Sequence, residues 1–139
     1  VSGGRWIDRS LITNPFNLCL CVTEKQYKKA LDRLKIKPED RTPYLYRPTS
    51  GATVHRFDNQ GDGEHAAIVC ISERTDLTKN QIFATIAHEV SHLTDYVMQE
   101  LGEDRPSTEF KAYCVQRMCQ SLFNAYDELK KKQKRKGKK

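Results

Sequence analysis

At 139 residues the chain is long enough for one domain with a real core and too short for two. Apolar residues make up 37% and charged residues 30%, the balance of a folded chain with a wet surface, and no apolar run reaches the length of a membrane span. The N-terminus lacks the charged-then-apolar layout of a secretory signal, so a cytoplasmic protein without a membrane partner is expected.

The net charge of +6 is unevenly placed. Residues 130–139 read KKKQKRKGKK, with eight basic residues and no acidic ones, which leaves sixteen basic against eighteen acidic residues in positions 1–129. The basicity is therefore read as a disordered tail, 130–139, attached to a single domain, 1–129, and not as a binding face. Such a tail can hold an acidic partner or nucleic acid through counterion release, or simply keep the chain in solution.

Residues 1–4 support no structural expectation. Residues 16–22 (FNLCLCV) predict a strand that is apolar on both faces, with Cys19 and Cys21 on the same side. The five cysteines are odd in number and contain no CxxC pair, so they read as buried, reduced thiols and not as a disulfide or thiolate-zinc framework. Thr23 then caps a helix through about Ile36, with Tyr27, Leu31 and Leu34 on one face, and Pro38 ends it. Residues 38–50 form an irregular connection that the sequence alone does not place.

Residues 52–57 and 66–72 predict two strands joined through Asn59-Gln60-Gly61-Asp62-Gly63, whose glycine and Asx content suits a hairpin turn. Asp58, Asp62 and Glu64 do not have the spacing of a calcium loop. His55 and His65 flank the hairpin, where lone histidines are usually neither ligands nor catalysts. Thr78 with Gln81 opens a helix as a capping box, and Gly102 stops it after about Glu100. Ser107 caps a last helix through about Leu129. The element order predicts an α+β domain with an early sheet and a late helix pair.

On a helical wheel of residues 81–101, Ile82, Ile86, Val90, Leu93, Val97 and Leu101 share one arc. His88, His92, Asp95 and Gln99 fall nearly opposite, with Glu89 between the two arcs. Two imidazoles one turn apart on a polar stripe can converge on one Zn²⁺, and a carboxylate beside the first can take a proton from the metal's water. That is the chemistry of HExxH, so His88 and His92 are the candidate ligands and Glu89 the candidate base. A catalytic zinc normally has a third protein ligand. Glu109 is the first candidate: a straight helix running to Leu101 followed by a tight hairpin would leave it opposite the wrong end, but residues 102–107 are long enough to walk the chain back, or the first helix ends early, near Met98. Glu103 and Glu100 are the rivals. Asp95 is a candidate acceptor fixing an imidazole tautomer, or a plain surface residue. Tyr113 could stabilise an oxyanion or pack against the preceding helix.

The segment AHEVSH at 87–92, followed by Glu109-Phe110-Lys111-Ala112-Tyr113, resembles the two-helix core of gluzincin-type zinc peptidases, and most closely small phage- and prophage-encoded proteins with Glu-x-x-Ala-Tyr downstream. The resemblance covers residues 78–126. It implies a zincin-like domain, zinc as cofactor, hydrolysis of a peptide bond in a protein or peptide substrate, and the host cytoplasm as its location. It also implies that Ile68, Val69, Cys70 and Ile71, just before the site helix, form the edge strand that pairs with substrate. The rival expectation is a non-catalytic accessory or inhibitor protein that keeps zinc for structure and binds a host partner.

Overall fold

The structure, a computed structural model, describes residues 3–7, 15–58 and 65–137. Its elements in chain order are β1 (Arg5–Trp6), β2 (Phe16–Cys21), α1 (Glu24–Arg33), β3 (Ala52–Phe57), β4 (His65–Ile71), α2 (Lys79–Leu101) and α3 (Thr108–Gly137). The result is an α+β domain built on a four-stranded mixed sheet in the order β1-β2-β4-β3. β2 and β4 run parallel, while β1 and β3 flank them antiparallel.

The two central strands are buried on both faces, which is why their sequences are apolar without alternation. Leu18, Leu20, Ala67, Val69 and Ile71 face α2 and α3, against Ile86, Val90, Leu93, Val97, Met118 and Leu122. On the other face Cys19, Cys21, Ile68 and Cys70 pack with Tyr27, Ala30 and Leu31 of α1 and with Tyr44. Residues 38–50 thus belong to the second layer. The Tyr44 hydroxyl donates to the carbonyls of Cys21 and Ile71, tying the connection to the ends of both central strands. His55 is a satisfied core residue: its Nε2 bonds the Tyr44 carbonyl at 2.9 Å, its Nδ1 lies 3.0 Å from the Thr42 hydroxyl, and Tyr27 stacks on its ring.

Several expectations change. The strand expected to be an edge, with Ile68, Val69, Cys70 and Ile71, is interior, because both of its sides are hydrogen-bonded to neighbours. Its unbroken apolar run reflects that central position. The free edge beside α2 is β3. The basic segment is helical through Gly137 and continues α3 without a break. Leu129 is the last buried residue of that helix, and the cations at its C-terminal end complement the helix dipole. Lys138 and Lys139 lie outside the described residues, as do residues 59–64 with the expected Asn59–Gly63 turn.

The opening glycines also acquire a place. Gly4 has φ +83°, and a Cβ there would meet the Leu20 carbonyl oxygen at 2.5 Å and the Cys21 sulfur at 2.9 Å. Beside it the Cys19 thiol donates weakly to the Gly3 carbonyl at 3.6 Å, and the Cys19 and Cys21 sulfurs lie 3.9 Å apart. Gly4→Ala is therefore expected to destabilise the fold by about 2 kcal/mol or more, from left-handed backbone strain plus displacement of β1. Urea denaturation measures this, and a change under about 0.5 kcal/mol would mean that the N-terminal strand does not pack as described.

Candidate metal centre

Helix α2 begins as the sequence anticipates: the Thr78 hydroxyl accepts from Gln81 N–H and the Gln81 side chain accepts from Thr78 N–H. It ends at Gly102, φ 70°, whose N–H bonds back to Gln99. Its apolar stripe faces the sheet and α3, so the opposite stripe is open to solvent. His88 and His92 are both exposed there, with ring centroids 5.1 Å apart. Two imidazoles sharing one tetrahedral zinc at about 2.0–2.1 Å would have centroids roughly 5 Å apart, so the spacing of the pair is compatible with one ion.

Glu89 is different. It is only 8% exposed, and among the described residues its carboxylate has no hydrogen bond or ion pair. Burial raises its pKa above the ordinary carboxylate value, and the neighbouring His88 and His92 pull in the opposite direction without cancelling the effect. Thr85, Glu89, Tyr96 and Glu100 share one flank of α2 at helical spacing. Gly51 lies against Thr85 at one end of that flank, and Arg56 bonds Gln99 and Glu100 at the other. The flank therefore follows the free edge of β3, with Glu89 between the two points of contact. A buried carboxylate without a partner costs about 1–3 kcal/mol or more, which marks Glu89 as a candidate functional residue.

Glu109 does not join the pair. Phe83 stacks on Phe123 at 4.2 Å, Lys79 pairs with Asp127 at 2.8 Å, and Lys111 lies 3.7 Å from Asp95. These contacts set one antiparallel register, in which Glu109 falls opposite Val97, five residues or about 7.5 Å beyond His92. Both helices keep their full length up to a short capped turn, so the chain never walks back. Among the described residues the one group of three His, Cys, Asp or Glu side chains with ligand atoms within 4.8 Å is Asp58, His65 and Glu100. Within that group Arg56 donates to Asp58 at 2.8 Å and to Glu100 at 2.6 Å, and His65 Nε2 lies 3.0 Å from Glu100. The guanidinium already supplies the positive charge, and its hydrogen bond holds the Asp58 carboxyl below its ordinary value. We read this group as an ion-pair network that clamps the end of β3 to α2.

Glu100 is thus engaged with Arg56 and is not a ligand of the His88/His92 pair, and Glu103 is exposed on the turn. Asp95 lies toward Lys111 across the helix pair and does not orient an imidazole. Tyr113 is 60% exposed and, among the described residues, makes no hydrogen bond or ring contact. Sequence reasoning missed Arg56. Its signal was parity: Ala52, Val54 and Arg56 alternate onto the α2 face, which puts a charge inward on an edge strand. No helix among the described residues is long and apolar enough to cross a membrane. Comparison with known proteins returned no match, whether to family models, to curated proteins or to solved structures.

The unpartnered Glu89 gives a direct test in metal-free protein. Its folded pKa is raised, so its ionisation opposes folding at neutral pH and the penalty disappears as the group is protonated. Glu89→Met should therefore stabilise the metal-free protein at pH 7 by about 1–3 kcal/mol, with the gain shrinking toward pH 4. Urea titrations at both pH values check this; a destabilised variant at pH 7 would show that Glu89 has an internal partner.

Proposed function

We propose that the chain is a zinc-dependent metallopeptidase in which His88 and His92 hold the metal and Glu89 is the general base. One observation carries this reading: a carboxylate kept buried without a partner among the described residues, beside two exposed imidazoles one helical turn apart. The two histidines and Glu89 suit a zinc ion and its water; Glu109, in its present register, does not. Zinc bound there would supply Lewis acidity and lower the pKa of a water to about 7.

The protein's own groups supply the remainder. Burial makes Glu89 a stronger base than an exposed carboxylate, so it receives the proton of the attacking water and returns it to the departing amine. One water is consumed, the amide C–N bond breaks, and a carboxylate and an amine are released. The protein or peptide substrate would lie extended and add to the free edge of β3, which runs beside Glu89. The expected setting is the cytoplasm, that of the host if the chain is phage-encoded, as the resemblance implies.

A second reading, a zinc-containing accessory protein that binds a host partner without catalysis, is favoured by the position of Glu109. It leaves two protein ligands where a catalytic zinc usually has three.

Elemental analysis of protein purified without chelator and offered zinc should give about one zinc per chain, and His88→Ala with His92→Ala should abolish it. Protein that binds no zinc overturns both readings. Glu109→Ala should leave zinc content unchanged; a loss would mean that the helix pair slides in solution to bring Glu109 in. Glu89→Gln should retain zinc while reducing cleavage of a quenched-fluorescence peptide library by about 10²-fold or more. Full activity of that variant, or no cleavage by the parent with its phenotype intact in both, would leave the accessory-protein reading.

A further inference from the structure

The basic end of α3 does not stand alone. It stands beside the start of α1, and residues of both line an open groove of about 770 Å³. Lys25 and Lys28 line it from α1, Lys132 and Lys136 from α3, with Gln26 and Gln133 beside them and Glu24 and Glu73 as its two acids. Lys132 and Lys136 are one turn apart, about 6 Å along the axis, so both present to the same side. Among the described residues Lys25, Lys132 and Lys136 have no ion pair, and Lys28 makes a single exposed contact, to Glu24 at 3.8 Å.

This placement reorganises the charge of the whole molecule. Residues 24–37 and 130–137 hold twelve of the 24 basic residues and two of the 18 acidic ones. Apart from these segments and Lys138–Lys139, the chain holds ten basic residues against sixteen acidic ones. Two segments far apart in sequence thus bring four lysines to one groove, with Glu24 and Glu73 as its acids, on a protein whose other residues are net acidic.

We propose that this groove is a binding site for the phosphate backbone of a nucleic acid strand, read without regard to base sequence. Lysines act as point charges toward phosphates and need no directional partner. An acidic protein segment is the poorer fit, because stable peptide docking relies on buried aromatic or aliphatic anchors, and Leu129 is the one apolar side chain in the lining. The groove also has no free strand edge to pair a peptide backbone. None of its lining residues belongs to the zinc site.

The test uses the full chain and a fluorescein-labelled, mixed-sequence single-stranded DNA of about 20 nucleotides, with anisotropy read across a salt series. Lys25→Glu with Lys28→Glu leaves the whole basic end of α3 intact, so it separates a groove from a tail acting alone. We expect at least a tenfold loss of affinity at about 50 mM salt, and a salt slope shallower by about 0.7 per lost phosphate contact. Arg105→Glu, just before the opposite end of α3, should change neither, and thermal melts should show all variants folded. Unchanged binding by the Lys25/Lys28 variant would overturn the proposal, since the tail alone would then suffice. Equal competition by poly-glutamate at matched charge, or tighter binding to vesicles with anionic headgroups, would overturn it in favour of an acidic protein or a lipid surface.

Discussion

Parallel pairing of β2 with β4 is the constraint from which the rest of the architecture follows. A parallel pair cannot be closed by a short hairpin, and both of its faces must be covered. Here one face takes α2 and α3, and the other takes α1 with the 38–50 connection pinned by Tyr44. What remains for β3 is the outside position, beside α2. The position of the candidate site at a free sheet edge is thus a consequence of how the central strands are buried.

That arrangement gives α2 three environments around its circumference: the core, the solvent, and the flank along β3. Val90 and Leu93 occupy the first, His88 and His92 the second, and Glu89 the third. Glu89, between core and edge, has lost most of its water without gaining a donor among the described residues, a local conflict that sets it apart from the other carboxylates of α2. The nearby Arg56 cluster shows the contrasting solution, because there each carboxylate is met by the guanidinium. Two acidic groups on the same flank of one helix, Glu89 and Glu100, therefore stand in opposite environments: Glu100 is clamped by Arg56, and Glu89 has no donor among the described residues.

Charge is organised by the same tertiary contacts. α3 is held by the core from Cys114 to Leu129, and its last turns continue from that anchor. Its basic end then reaches the start of α1, where further lysines stand. Read along the chain, these are a solvated helix face and a terminal run; in the fold they line one groove. The proposed zinc site and the proposed groove stand on different elements, so each can be altered by mutation without touching the other.

The sequence by itself determined most of the elements, β1 and the continuation of α3 beyond Leu129 excepted, and marked out the helix that carries the His88/His92 pair. Capping residues Thr23, Thr78, Gly102 and Ser107 set the helix ends, and residue spacing over 81–101 is enough to separate the His88/His92 stripe from the core stripe. Those are local properties, governed by backbone hydrogen bonds and by spacing within one turn. Tertiary structure alone decided which strand is interior, how α2 and α3 are aligned, and where the basic end of α3 lies. An apolar run such as residues 66–71 reads the same in any fully covered strand, whichever neighbours it pairs with. The alignment that moves Glu109 away from His92 depends on Phe83 meeting Phe123, forty residues apart in the chain. Contacts at that separation leave no periodic trace in the sequence, because they are selected by shape and burial between elements and not by the pattern within one.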